Sequence, residues 1–114
     1  WKSQVEGIRM IIGKMEEINP DGLPLIFSGD LNTDISSKAF DSLKPIMLNS
    51  HDVAPITDDI PTYNAWGNKD KERIIDFIWI TPGIKCLEYR TDITPYGGHE
   101  LISDHYPVYI IVKI

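Results

Sequence analysis

Hydrophobic residues recur every three or four positions along the first part of the chain. Between positions 3 and 18 the apolar side chains fall on one face of a helix, and lysine, glutamine and glutamate fall mainly on the other. The apolar set comprises Val5, Ile8, Ile11, Ile12, Met15 and Ile18. Residues 19–22, Asn-Pro-Asp-Gly, are typical of a turn and end this pattern. The sequence therefore predicts an amphipathic helix over residues 3–18.

After this helix, short apolar runs are separated by turn residues. A second helix is predicted from Ser36 or Ser37 to about Leu43, where Pro45 limits it. Residues 51–68 carry prolines, a glycine and paired aspartates, and are predicted to form a long loop. Runs rich in β-branched and aromatic residues predict strands over 24–28, 74–80, 84–93 and 106–114. This order predicts an α+β fold in which helices pack on a mixed, mostly antiparallel sheet.

Composition narrows the class of protein only moderately. The chain has 114 residues, of which 42% are hydrophobic and 25% charged, as in one ordinary globular domain or part of one. Its single cysteine, Cys86, excludes an intrachain disulfide and a cysteine-based metal site. No apolar run is long enough to cross a bilayer, and no signal peptide is visible. The compartment, cytoplasmic or exported, stays open.

The net charge restricts the partners that this chain would attract. A formal charge of −6 repels polyphosphates, so it disfavours tight non-specific binding of nucleic acid by these residues alone. Carboxylate oxygens are also the ligands that Mg²⁺ and Ca²⁺ prefer. Most of the acidic residues are expected only to keep the surface hydrated.

The first chemical motif is Ser-Gly-Asp-Leu-Asn at residues 28–32, where an apolar strand ends. In a strand-like backbone the side chains of Asp30 and Asn32 point to the same side. A carboxylate beside a carboxamide suits a water-activating base next to a hydrogen-bond donor for an anion. The alternative is an ordinary turn in which the aspartate bonds the following backbone.

The second motif is Asp76, a lone carboxylate in an otherwise apolar strand. A buried charge without a partner is costly, so a histidine or a metal ion is expected beside it. The alternative is an edge strand on which Asp76 faces water.

The third motif is Ser-Asp-His-Tyr-Pro at residues 103–107, before the last strand. Asp104 and His105 are adjacent, so in an extended backbone they face opposite sides. A histidine that is paired with a carboxylate can stay charged near neutral pH and contact an anionic oxygen. The alternative is a loop whose aspartate caps a turn before Pro107.

Together the three motifs resemble those of the endonuclease/exonuclease/phosphatase superfamily. The matching segments are Gly-Asp-Leu-Asn at 29–32, Arg-Ile-Ile-Asp-Phe-Ile at 73–78 and Ser-Asp-His-Tyr-Pro-Val at 103–108, in the order expected of that family. Thr62-Tyr63 resembles the Thr-aromatic pair that often precedes the second segment there. The resemblance covers essentially the whole chain and implies one half of a four-layer α/β sandwich, with the helices on the outer face of the sheet.

The resemblance also implies roles for five residues in metal-dependent hydrolysis of a phosphoester. Asp30 would orient or activate the attacking water, and Asn32 would hydrogen-bond the scissile phosphate. His105 would bind the phosphate and stabilise its developing charge, and Asp76 would orient His105. Asp104, with Asp30, would bind or position Mg²⁺ or Mn²⁺, with Ca²⁺ as a further choice.

Other catalytic residues of that family, which its N-terminal half supplies, are not visible in this sequence. Since the chain also begins at Trp1 rather than Met, we expect residues 1–114 to be the C-terminal half of the domain, with little or no hydrolase activity alone. The sheet face that the other half would cover is then apolar, and is a surface for self-association.

Two alternatives to the hydrolase interpretation are a non-catalytic binding or scaffold domain on the same fold, and an unrelated α+β interaction domain. The substrate could be a small phosphoester, a lipid head group or a nucleic acid. Loops decide such choices in this kind of fold. Of the remaining polar and aromatic residues, His51 and His99 are expected to be solvated loop histidines. Tyr63 and Trp66 are expected to pack, with stacking on a base or sugar as the alternative.

Overall fold

The computed structural model describes residues 2–114 as helices packed against short antiparallel strands. Trp1, on which part of the expectation of an upstream half rests, lies outside the described residues. The helices and strands, in chain order, are α1 (Lys2–Ile18), β1 (Ile26–Asp30), β2 (Leu48–Asn49), α2 (Ser50–Val53), β3 (Asp76–Ile80), β4 (Lys85–Thr91) and β5 (Val108–Lys113). Short 3₁₀ helices are formed by Lys38–Phe40 and Ala65–Gly67.

The strands form two sheets that meet through β3. In the first sheet, β3 lies between β1 and β2 and is antiparallel to both. In the second, β4 pairs with β5, also antiparallel. One isolated parallel bridge joins Ile56 to Glu88, so the long loop also touches β4. The predicted mixture of helices and mostly antiparallel strands is confirmed.

Alternate side chains of β3 enter two different cores. Phe77 and Trp79 pack with residues of α1 and of the first 3₁₀ helix, where the rings of Phe40 and Trp79 stack at 5.4 Å between centroids. Ile80 packs instead with β4, β5 and Ala54. This alternation is the two-residue period of a strand that is covered on both faces. It fixes β3, and with it Asp76, between the two cores.

The N-terminal helix and the three long C-terminal strands form close to their predicted positions, whereas the second helix is shorter than predicted. Only Lys38–Phe40 is helical there, as a 3₁₀ turn whose start is capped by Ser37, which accepts a hydrogen bond from the Ala39 N–H. Ala39, Phe40 and Leu43 are nonetheless fully buried, as the apolar pattern required. A run of turns can bury the same side chains, so burial alone did not determine the helix type.

Several apolar side chains on the strands remain exposed. They are Ile26 on β1, Leu48 on β2, and Tyr109 and Ile111 on β5. Their exposure agrees with the expectation that a sheet face is left uncovered in these residues alone. In the part of the chain that the structure describes, no helix has both the length and the apolar character needed to cross a membrane.

Candidate active site

Two aspartates face each other across the β1–β3 pair. The register sets Asp30 directly opposite Asp76. Like charges in directly opposed positions destabilise a sheet unless something neutralises them. Two carboxylates thus repel each other where β1 ends and β3 begins. A cationic group nearby would offset this repulsion.

That cationic group is His105, which a third segment of the chain delivers. Its Nδ1 lies 2.8 Å from Oδ2 of Asp76, and its Nε2 lies 3.6 Å from Oδ2 of Asp30. One carboxylate oxygen from each aspartate and one ring nitrogen of His105 all lie within 4.8 Å of one another. Three segments that are far apart in sequence therefore converge on one small space.

The two carboxylates favour the charged form of the imidazole. Partial burial alone would lower the pKa of His105, but the hydrogen bond to Asp76 and the charges of Asp76, Asp30 and Asp104 outweigh it, so the net pKa is raised. A histidine with a raised pKa is more often protonated near neutral pH and then donates from both ring nitrogens. The ring of His105 therefore lies between the side chains of two aspartates, with its Nδ1 hydrogen-bonded to Asp76.

Backbone hydrogen bonds to residues 62–64 hold His105 in place. The Tyr106 N–H donates to the Thr62 carbonyl, and the Asn64 N–H donates to the Asp104 carbonyl, both at 2.8 Å. Tyr63 lies between them, with its ring centroid 5.3 Å from that of His105. Residues 62–64 therefore act as a short extra strand along the segment that carries the histidine.

Thr62 ties the same short strand to the start of β3. Its side chain is fully buried, and its Oγ1 accepts hydrogen bonds from the N–H groups of Ile75 and Asp76, each at 3.1 Å. The hydroxyl therefore fixes the backbone of Asp76, while the Thr62 carbonyl fixes the residue after His105. Reasoning from the sequence identified Thr62 as half of a Thr-aromatic pair but not its anchoring role, because that role depends on contacts between distant segments.

Asn32 does not continue the strand. Its φ is 52°, in the left-handed region, and its N–H donates to Oδ1 of Asp30 at 2.9 Å. This is the aspartate-bonded turn that was the alternative for the first motif. The turn and the site coexist, because Oδ1 of Asp30 accepts from the backbone while Oδ2 faces His105.

Asp104 lies outside the three-residue cluster. The atoms that come within 4.8 Å of one another belong to Asp30, Asp76 and His105, and Asp104 contributes to them only through its charge. Its backbone carbonyl is engaged by Asn64. The structure thus places the adjacent Asp104 and His105 in different settings, as expected for an extended backbone.

A cleft opens beside the two aspartates. It has a volume of about 290 Å³, and Asp30 and Asp76 line it together with the neighbouring residues of β1 and β3 and with Tyr106, Pro107 and Val108. A phosphate group fits such a volume easily. Both carboxylates are partly exposed, so the cleft leaves them accessible from one side.

The other histidines and the cysteine lie outside this cluster. His51 is partly buried on α2, where its ring lies between Asp52 at 2.8 Å and Asp59 at 2.7 Å. It is thus an ion-paired rather than a freely solvated histidine. His99 is exposed and pairs its backbone with Tyr96. Cys86 is buried, which raises the pKa of its thiol and agrees with a structural role.

At the level of sequence, no protein-family model and no curated protein matches this chain. Solved structures do match it. A mannosyl-6-phosphatase from Bacteroides thetaiotaomicron is 23% identical with a TM-score of 0.75, over 99% of this chain and 46% of its own. An endonuclease/exonuclease/phosphatase protein from Bacteroides vulgatus is 22% identical with a TM-score of 0.85, over 99% of this chain and 44% of its own.

A functionally unknown conserved protein from Enterococcus faecalis is similar as well, at 17% identity and a TM-score of 0.80, over 96% of this chain and 44% of its own. The chain thus spans a little under half the length of these structures. At such identities the likeness establishes the fold. The predicted resemblance in fold is confirmed, and the predicted α+β class with it.

Proposed function

We propose that this chain, whose fold is that of the endonuclease/exonuclease/phosphatase proteins, is the C-terminal half of a metal-dependent phosphoester hydrolase. The observation that supports this most is the meeting of Asp30, Asp76 and His105, which three separate segments deliver to one place. The two aspartates also line a cleft there, together with Tyr106, the residue after His105. An ion pair that only stabilises the fold needs no cleft beside it. Phosphoryl transfer does, because its substrate must reach fixed charges and a positioned water.

Each of the three residues has a distinct task in this proposal. The His105 imidazolium is held by Asp76, so its other N–H is free to donate to a phosphate oxygen when substrate replaces the weak 3.6 Å contact with Asp30. Asp76 fixes the ring orientation, since its carboxylate accepts a hydrogen bond from Nδ1–H. Asp30 is more exposed and accepts a proton from, or orients, the attacking water. Asn32, exposed beside it, is proposed to donate its side-chain amide to the phosphate.

A divalent cation fits this donor set in part. Carboxylate oxygens suit Mg²⁺ or Mn²⁺, and Ca²⁺ as well. Asp30 would hold the ion, and Asp104, which lies outside the cluster, would bind or position it from the neighbouring segment. A protonated His105 has no lone pair to offer, so it is assigned to the phosphate and not to the metal. When bound, the ion supplies charge neutralisation at the phosphate and a more acidic water. Mg²⁺ is commonly held by one or two carboxylates, with waters and substrate phosphates completing its shell.

The substrate proposed first is a small phosphoester. The net charge of −6 opposes the long polyanion of a nucleic acid, whereas a single phosphate group is repelled less. The similar mannosyl-6-phosphatase suggests a sugar phosphate for the first assays. Lipid head groups and nucleic acids remain in the panel. The exposed apolar side chains on β1, β2 and β5 are proposed to be covered by the N-terminal half.

The test is phosphate release by the intact protein from a panel of phosphoesters, with Mg²⁺ and with EDTA. We expect turnover of at least one substrate, its loss in EDTA and its recovery with added Mg²⁺ or Mn²⁺. Asp30→Asn and His105→Ala should each abolish most of it, and residues 1–114 alone should show little. Turnover that survives both substitutions, or that ignores EDTA, contradicts the proposal; an intact protein that binds a phosphoester without any turnover supports the binding-domain alternative.

A further inference from the structure

Backbone strain in this chain is concentrated in the loops around the site. Among residues 2–114, the non-glycine residues with positive φ are Asn32 at 52°, Ala65 at 50° and Trp66 at 54°. A side chain in this region crowds its own backbone, and such outliers persist where the surrounding structure holds them, often at functional sites. Asn32 belongs to the first motif of the site. Two consecutive strained residues at 65 and 66 require a separate explanation.

Asn64 holds these two residues in their strained conformation. Its side chain is 3% exposed, and its Oδ1 accepts from the Trp66 N–H at 2.9 Å. Its Nδ2 donates to the Ser103 carbonyl at 3.0 Å, and its own N–H donates to the Asp104 carbonyl at 2.8 Å. One buried asparagine thus fastens the turn at residues 65–67 to the backbone of the segment that carries His105.

The strain does not serve the core. The side chain of Trp66 is 61% exposed, whereas the other described tryptophan, Trp79, is 2% exposed at the centre of its cluster. A strained turn that buried its indole would recover the cost through packing, since an aromatic ring buries a large apolar area. Here the turn holds a large apolar ring out towards solvent. An exposed indole in a fixed position is accessible for stacking on a ligand.

We propose that Trp66 is a specificity residue that stacks its indole on the ring of the substrate's organic group, a sugar or a nucleobase. This inference rests on the proposed phosphoester hydrolysis. Trp66 is two residues from Asn64, which spans at most ~7 Å of chain, and Asn64 is bonded to the residue before His105. Since Asn64 ties the turn that carries Trp66 to the segment that carries His105, we infer that a phosphate held by His105 directs its organic group towards the indole. Flat rings stack on tryptophan through their faces, without a need for a particular pattern of hydrogen bonds.

The test compares kcat/KM of the intact protein for a hexose 6-phosphate and a nucleoside monophosphate with that for the acyclic glycerol phosphate. In Trp66→Ala the preference for the better ring substrate over glycerol phosphate should fall about tenfold, and mainly through KM, because stacking of one ring contributes about that factor. Trp66→Phe should retain most of the preference. The ring substrate that loses more identifies a sugar or a base as the ligand.

Trp66→Gly separates a ligand role from a structural role. Glycine adopts positive φ without strain, so the Tm should stay the same or rise while the ring preference is lost. Met10→Ala on α1, which also removes a large exposed apolar side chain, should leave the preference unchanged. An unchanged preference in Trp66→Ala, or a lowered Tm in Trp66→Gly, overturns the inference. If His105→Ala retains turnover, the proposed hydrolysis fails instead, whatever the Trp66 variants show.

Discussion

Replacement of His105 by alanine is expected to lower kcat/KM for a phosphoester by about 10²–10³-fold, the usual cost of one charge-stabilising donor in a hydrolase. The imidazole lies between two carboxylates. The hydrogen bond to Asp76 and the nearby charges outweigh burial and raise its pKa, so its loss removes a group that both aspartates and the phosphate would share. The loss should appear in kcat as well as in kcat/KM, because the donor binds the charge that develops during the reaction. Steady-state kinetics of the intact protein measure both.

His51 offers a matched control. Its ring also lies between two aspartates, at 2.8 Å and 2.7 Å, and hydrogen bonds to Asp52 and Asp59 outweigh the effect of burial and raise its pKa as well. It differs from His105 in its position, since it lies on α2 outside the cluster of Asp30, Asp76 and His105. His51→Ala should therefore retain wild-type kinetics at a temperature below its Tm. Equal losses in the two variants would show that the paired histidines act on stability and not on catalysis.

Thr62→Val is expected to destabilise the protein by about 2–4 kcal/mol, because two backbone N–H groups then lose their acceptor inside the fold. The substitution keeps the shape of the side chain but removes the Oγ1 that accepts from Ile75 and Asp76. Activity should fall with it, since the same hydroxyl positions the backbone of Asp76. Urea unfolding of the intact protein measures the stability change.

Thr62→Ser separates the hydroxyl from the methyl group. It keeps the acceptor and deletes one buried methyl, so its cost should be only about 1 kcal/mol. Activity at a temperature where both variants are folded should be close to wild type in the serine variant and lower in the valine variant. If valine is tolerated better than serine, packing of the methyl group is what position 62 requires, and the positioning role of the hydroxyl is wrong.

The sequence was sufficient to predict the helices and strands whose apolar residues recur with a strong period. The apolar stripe of α1 and the β-branched run of β3 are properties of neighbouring residues, so a local pattern contains them. β2 is only Leu48–Asn49 and exists through its pairing with β3, which no local pattern reveals. The predicted second helix is only one 3₁₀ turn, because several kinds of turn can bury the same apolar side chains.

The site shows the same division between local and distant information. The three motifs could be found from their residues, but their meeting depends on the β1–β3 register, which sets Asp30 opposite Asp76. Asn32, Ala65 and Trp66 have positive φ values. Positive φ is uncommon in residues other than glycine, so the sequence alone does not predict it at these positions. Thr62 and Asn64 act through bonds to segments up to forty or so positions away, so their importance emerges only from the folded chain.

The most direct test of the central claim, that Asp30 and His105 act on one phosphate, is a double-mutant cycle on kcat/KM in the intact protein. Asp30→Asn keeps the side-chain shape and removes the carboxylate charge. His105→Gln keeps a polar side chain with an N–H donor but cannot become a cation. If both act in the same step, the double variant should be scarcely slower than the slower single variant, since groups that work as a unit are strongly non-additive. Losses that multiply as for independent sites, or a double variant as active as wild type, would contradict a shared catalytic centre.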